Sequence, residues 1–401
     1  MAVQQTLRPY VTAGIAIVGS GLITATPATT PLADGLPTLR EVALAADGTL
    51  PDLLAPWNAV FNEASENATI LTQNFFIAPW VGLQQMLANQ SEFWQSVLDD
   101  PSTIPAVMQQ MQSNLDAVLT GYTLQNASGS FGLSGLEGTL GTVGVHTLSA
   151  SDLGTGVFGH DLLFGLLPSF LPADQAEFVT PIVNFLASPL SAIIIGSLGP
   201  SISPWVAMMN AIQDGDSFGQ VMASWMDGYL NGATLNLDFL LPLIADSGLL
   251  PEGTEVTHLD FALGGLLTPG QVGVGPYQVN DADGNVVDVP AVGGSIFNSL
   301  GITLTAGLLP GVPIAIGSHA VGPIAAMEAW SQTVGALLGS GWDGKGPVPV
   351  TPPWPGIDFP VIPDGFFDDG GATPDPGDAV ASALAGMDLT GFADALLGVG
   401  V

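Results

Sequence analysis

The sequence predicts an α+β protein made of mostly short helices broken by proline and glycine, with two small β-rich segments. Three observations carry this prediction. Apolar residues recur at helical i, i+3, i+4, i+7 spacing between Pro51 and Leu124. From Gly129 to Gly159 they stand instead at mostly even spacing between closely set glycines, and from Glu255 they alternate with polar residues in a comparable segment ending at Thr305. Lastly, 52 glycines and 32 prolines among 401 residues impose many turns and short elements. A single-chain β-barrel is not clearly supported, because it needs at least about eight strands of about nine to eleven residues, and only about five or six short ones can be counted. Four tyrosines and eight tryptophans are scattered rather than gathered into girdles.

Along the chain, residues 1–33 have the three parts of a signal peptide. Arg8 lies in a short positive start, Val11 to Ile23 is apolar, and small residues run from Thr24 through Ala33. The apolar run is about 13 residues, shorter than the roughly 20 of a membrane-spanning helix, so the segment is read as removed near Ala28 or Ala33. Arg40 and Lys345 then remain as the only basic residues. Residues 34–125 form an N-terminal helical region. Leu83, Met86, Leu87, Trp94, Val97 and Leu98 share one face of a helix ending near Asp99 and Asp100. Ile104, Val107, Met108, Met111, Leu115, Val118 and Leu119 form the stripe of the next, with Ser102 or Thr103 as its cap and Pro105 in its first turn. The two stripes are expected to pack on each other. Their polar faces carry Gln, Asn and Ser, not the Lys and Arg of membrane-surface helices.

Residues 126–345 form a central mixed region. Phe131, Leu133, Leu140, Val143, Val145 and Leu148 predict short strands with tight turns and argue against helix there. Residues 161–250 are helical in pattern, but Pro168, Pro172, Pro181, Pro189, Pro200, Pro204 and Pro242 predict short or kinked helices. A strand follows in which His258, Asp260 and Ala262 alternate with Leu259, Phe261 and Leu263. Then come runs over 271–279, 286–292 and 295–305, with Asp283-Gly284 as a hairpin turn between the first two. Two segments resemble each other, Ile193 to Met208 and Ile314 to Met327: each reads as an apolar run, a Gly-Ser break and a helix opened by proline. The second helix, 323–338, places Ile324, Met327, Val334, Leu337 and Leu338 on one face and stops at Gly339. Residues 346–378 are a Pro/Gly/Asp-rich extended linker. Residues 379–401 are an apolar C-terminal tail, weakly helical, with Asp378 as a cap and Gly386 and Gly391 as interruptions.

Thirty-six acidic against three basic residues, a net charge of −33, exclude nucleic acid as a partner, since phosphate backbones are held chiefly by Lys and Arg. With 47% hydrophobic residues the chain is too apolar for disorder, and with only 10% charged its surface is poorly armed against association. The absence of cysteine removes disulfides, thiolate catalysis and cysteine metal sites together. Beyond the leader no stretch reaches about 18 uninterrupted apolar residues, and the nearest, Ile193 to Leu198, lies among prolines, so a bilayer could be crossed only by a closed barrel or an assembly.

No constellation points to catalysis, a cofactor or a firm metal site. Gly339 to Gly346 has the glycine and lysine spacing of a phosphate loop, but Gly346 replaces the Ser or Thr and Pro347 follows where a helix must start. Gly196-Ser197 and Gly317-Ser318 lack the closing glycine of a nucleophile elbow. His146, His160, His258 and His319 are the only imidazoles; no two lie within five residues, which disfavours zinc. His160 and Asp161 are adjacent and point apart, so they are no triad fragment. Hydrogen-bonded structural roles are expected for all four histidines. Asp281 to Asp288 has calcium-loop residues with its glycine two positions early, which favours a hairpin turn and leaves weak divalent-cation binding open there and at Asp364 to Asp378.

Thr6-Leu7-Arg8-Pro9-Tyr10-Val11-Thr12-Ala13-Gly14-Ile15-Ala16-Ile17-Val18-Gly19, followed by Ile23-Thr24-Ala25-Thr26-Pro27, resembles the start of the GjpA-type outer-membrane porin family of mycolic-acid-bearing actinobacteria. The body is similar in order too: a helical opening, a Leu-Pro-rich middle closing on the Gly322 to Met327 helix start, Trp342-Asp343-Gly344, and a Pro/Asp tail. The resemblance implies an exported, non-enzymatic protein of the cell envelope or outer membrane that forms a water-filled channel, and it assigns no functional residues. Rings of Asp and Glu would make such a channel cation-preferring. The expected partners are further copies of the chain or other envelope proteins, and outer-membrane lipid. The alternative is a secreted surface or interaction protein without a pore.

Overall fold

A computed structural model describes residues 50–339, apart from 78, 133–134, 153, 171–172, 247–249, 251–252, 281–285 and 306–312. The expected signal peptide, linker, tail and Asp283-Gly284 turn, and the phosphate-loop-like string beyond Gly339, lie outside these residues. The chain divides into two compact units, the first holding residues 50–89 and 110–339 and the second residues 90–109 among those described. The fold is α+β, and among the described residues the strands form small antiparallel sheets without a closed barrel.

Helix α1 spans Leu50–Ile77, α2 Val81–Asp99 and α3 Ile104–Thr123, with a 3-10 turn at Pro101–Thr103 before α3. The turn is capped by Asp100, whose carboxylate accepts the Ser102 N–H at 2.9 Å, and the Thr103 hydroxyl donates back to the Ser96 carbonyl. The mutual burial expected of the two stripes is corrected. Leu83, Met86, Trp94, Ile104, Met108, Leu115 and Leu119 are solvent-exposed. Periodicity determines which side chains share a face, not what covers it.

A two-stranded ribbon, β1 Ser130–Gly132 with β2 Gly135–Glu137, gives way to helix α4, Gly138–Thr147, where strands were expected. Leu140, Val143 and Thr147 also satisfy i, i+3, i+7, and Gly141 and Gly144 are buried beside them, so tertiary packing decides between two readings of one pattern. Helices α5 His160–Phe170, α6 Ala173–Leu186, α7 Pro189–Gln213 and α8 Phe218–Leu230 follow. The prolines shorten them less than expected. Pro181 lies inside α6 and both Pro200 and Pro204 inside α7, which still runs for 25 residues from its Ser188 cap. The first of the two similar segments is therefore uninterrupted helix, while the second does break as expected. Within α7 the Ser203 hydroxyl donates to the Gly199 carbonyl at 2.9 Å, which adds a bond along the stretch where Pro200 and Pro204 offer no N–H.

Strand β3 (Ala233–Asn236), a 3-10 turn at Asp238–Leu240 and helix α9 (Leu241–Asp246) lead to β4 (Glu255–Leu263). The main sheet has the order β3-β4-β7-β8, all antiparallel, with β7 at Leu300–Thr305 and β8 at Pro313–Ile316. The alternation read over 258–263 is that of β4, with Leu259 buried between half-buried His258 and Asp260. A hairpin of β5 (Tyr277–Asn280) and β6 (Val286–Val289) pairs Asn280 with Val286, shorter on both sides than the runs read from the sequence. Helix α10 spans Pro323–Leu337 and ends at Gly339, whose φ of +94° is the left-handed turn glycine permits.

Small residues make the closest helix contacts. On α10, Ala325, Ala326, Ala329, Thr333 and Gly335 are buried; of the expected apolar face, Ile324 and Leu337 pack half-buried against the core while Met327 faces out. On α7, Ala192, Gly196, Gly199 and Ser203 face in. Gly199 of α7, Gly264 after β4 and Val321-Gly322 before α10 meet backbone to backbone: a Cβ on Gly199 would lie 2.2 Å from the Gly264 carbonyl oxygen, and one on Gly264 would lie 2.2 Å from that of Val321. A buried polar chain ties α1 to this core, in which the Tyr277 hydroxyl donates to Gln332 Oε1, Gln332 Nε2 to Asn74 Oδ1, and Asn74 Nδ2 to the Pro290 carbonyl. Removing its central member strands the others, so Gln332→Leu is expected to cost about 2–3 kcal/mol in urea unfolding. Met327→Gln, on the exposed side of the same helix, should stay within about 0.5 kcal/mol.

Candidate functional site

The four histidines were the only base candidates, and their surroundings decide what they can do. His160 opens α5 and is fully buried. Its Nδ1 lies 2.9 Å from the Ser149 hydroxyl and its Nε2 lies 2.6 Å from the Leu300 carbonyl. With Nε2 donating to the carbonyl, Nδ1 accepts from Ser149, whose oxygen in turn accepts the His160 backbone N–H at 3.1 Å. Burial holds this imidazole neutral, with its pKa brought down to about 4. Ser149 N–H donates to Asn298 Oδ1, and Asn298 Nδ2 to the Gln271 carbonyl. The His319 ring stands edge-on to His160 at 6.0 Å. A serine and histidine at nucleophile distance are thus present, but both are sealed, and they serve to close residues 149–160 into a loop.

Asp161 turns elsewhere, its carboxylate accepting the Ser151 N–H at 2.9 Å and the Ser151 hydroxyl at 2.5 Å. The adjacent pair does point apart. Sequence reading did not anticipate Ser149 as the partner of His160, because the two are brought together only by the turn between α4 and α5. His146 is also buried, its Nδ1 without a partner and its pKa brought down to about 4 by burial.

His258 is half-exposed. On β4 it shares a side with Asp260, two residues on, and its Nε2 lies 2.8 Å from Asp260 Oδ2. Its Nδ1 lies 2.9 Å from Asp238 Oδ1, contributed by the 3-10 turn. These carboxylates, Asp260 first, raise its pKa above the ordinary imidazole value. Asp238 is itself held below the usual carboxylate range, chiefly by the Leu259 N–H. Held between two carboxylates, which favour its protonated form, His258 ties the turn to the sheet, and as imidazolium it has no lone pair to offer a metal. Among the described residues no group of three or more His, Cys, Asp or Glu is placed to hold a metal ion. Ser197 and Ser318 stand apart from this pair, Ser197 on the exposed side of α7 and Ser318 in the loop after β8.

The surface feature that stands out is apolar. The side of α7 opposite its small residues carries Ile194, Leu198, Ile202, Trp205, Met209 and Ile212, all solvent-exposed, with Phe218 at 81% just beyond the helix. Phe178 and Phe239 are also more than 70% exposed. By length and composition α7 is the one described helix able to cross a membrane, yet 39% of its most apolar window is buried in the fold. No family model matches the chain, and neither a curated protein nor a solved structure matches it.

Proposed function

We propose that this chain is an exported, non-enzymatic cell-envelope protein that works by association, through helix faces whose large apolar residues point outward. One observation carries the reading: α7 buries Ser191, Gly196, Gly199 and Ser203 and exposes Ile194, Leu198, Ile202, Trp205, Met209 and Ile212. Soluble domains bury their large apolar side chains first, and an exposed apolar face of this size marks a contact with protein or lipid. The sealed Ser149 and His160 and the doubly engaged His258 support a non-catalytic role. The leader's likeness to outer-membrane porins supports export.

A water-filled, cation-preferring channel is a second reading, favoured by 36 carboxylates with three basic residues to answer them. The open four-stranded sheet leaves such a channel to an assembly of several chains. The test has two arms on cells expressing the full chain with a C-terminal tag. Surface proteolysis and fractionation should find the protein in the envelope, and a cytoplasmic location would overturn the proposal. In planar bilayers the extracted protein should give a flat trace if it is a surface protein, whereas discrete cation-selective steps would establish the channel reading.

A further inference from the structure

We propose that the exposed side of α7 is the seam along which two copies of this chain pair, their helices antiparallel about a two-fold axis near Ile202. The proposal rests on the association reading above and names its partner. Leu198, Ile202, Trp205, Met209 and Ile212 follow one another at intervals of four and three residues, the spacing at which one helix receives the side chains of another. The exposed parts of these residues and Ile194 amount to roughly 600 Å², about three quarters of the roughly 800 Å² per partner of a stable interface. A face that pairs with itself is what a two-fold dimer requires.

Charge selects this face and this direction. No charged residue lies between Glu177 and Asp214, so two strongly acidic chains can meet along α7 with little repulsion. Asp214 and Asp216 follow the helix end. An antiparallel pair sets them beside the partner's first turn, where helix N–H groups present positive charge, whereas a parallel pair would bring like carboxylates together. A bilayer fits less well, because the described residues contain no Lys or Arg to meet anionic headgroups. Nor is α7 free to leave the fold, since Gly196, Gly199 and Ser203 on its other side pack against the backbone of Gly322, Gly264 and Gly228.

Light scattering of the full chain over about 1–100 µM should find a dimer. Leu198→Asp and Trp205→Asp should each weaken it at least about 30-fold, a change typical of interface anchors, while Leu243→Asp, at an exposed apolar site on α9, should leave it unchanged. Thermal unfolding of the variants checks that they remain folded. Because the chain has no cysteine, oxidation by copper phenanthroline reads the geometry directly. Ile202→Cys should cross-link to itself, and Ile194→Cys should cross-link only when mixed with Ile212→Cys. A wild-type monomer throughout the range, aspartate variants that dimerise normally, or self-linking of Ile194→Cys would each overturn the proposal. Flotation of a monomeric protein with phosphatidylcholine vesicles, lost in Trp205→Asp, would assign the face to lipid and overturn it as well. A dimer found in a cytoplasmic protein would sink the envelope reading and leave the seam standing.

Discussion

Gly264→Ala is expected to lose about 4 kcal/mol of stability in urea unfolding, enough to bring the chain within about 1 kcal/mol of its unfolding midpoint if its stability is at the lower end of the usual range. The added methyl would sit 2.2 Å from the Val321 carbonyl oxygen and 2.5 Å from its carbon, both backbone atoms that no rotamer change can move aside. Gly199→Ala gives the sharper test because two principles disagree about it. Helix propensity favours alanine over an interior glycine by up to about 1 kcal/mol. Packing disfavours it, since the same methyl would meet the Gly264 carbonyl oxygen at 2.2 Å. Packing should win by about 2–3 kcal/mol, and a Gly199→Ala variant more stable than wild type would show that the joint between α7, β4 and α10 is loose. Gly317→Ala, whose Cβ would meet nothing within 4 Å, should be neutral within about 0.5 kcal/mol.

That joint also explains which parts of the fold were legible in the sequence. Strand β4 could be read because its middle keeps period two, with Leu259 buried between half-buried His258 and Asp260. Helix α10 could be read from Pro323 at its start and Gly339 past its end, both local signals. Helix α7 could not. Pro200 and Pro204 are unfavourable in isolation, and the helix survives them only because Gly264, Gly322 and Gly228, distant in sequence, pack against it. Helix α4 was misread for a related reason: Val143 and Val145 stand two apart as in a strand while Leu140, Val143 and Thr147 keep helical spacing, and its buried glycines favour helix only once a neighbour is present. Of the candidate site, the hydrogen-bonded setting expected of all four histidines is seen at His160 and His258 but not at His146 Nδ1, which has no partner. The partners themselves were not legible, since Ser149 and Asp238 approach through turns. The outward apolar faces escaped because a stripe of large residues is ordinarily the buried one.

The stability difference between variant and wild type should change with pH in opposite directions for two buried groups. His160 is neutral in the fold, with a pKa of about 4 against an ordinary 6.5, because burial disfavours its charged form. Between these values the unfolded chain binds the proton and the folded chain does not, so the stabilisation is complete above about pH 6.5 and is lost as pH falls towards 4. His160→Gln, which cannot titrate, should therefore be less stable than wild type at pH 7 by an amount that shrinks by on the order of 3 kcal/mol on acidification to pH 4. Glu328 runs the other way. Burial raises its pKa to about 8, and its Oε2 has no hydrogen-bond partner, so the folded chain keeps the proton that the unfolded chain releases above about 4.5. Its stabilisation is present at acid pH and is lost as pH rises towards 8, so Glu328→Gln should gain on wild type steadily between pH 5 and 8. Surface carboxylates are common to all three chains and cancel in these differences, which isolates the buried groups despite the net charge of −33. Urea unfolding of the three chains at pH 4, 5, 6, 7 and 8 is sufficient. A Glu328→Gln difference that does not vary with pH would mean that this carboxyl is hydrated and ionised in the fold, with α10 open to water on that side.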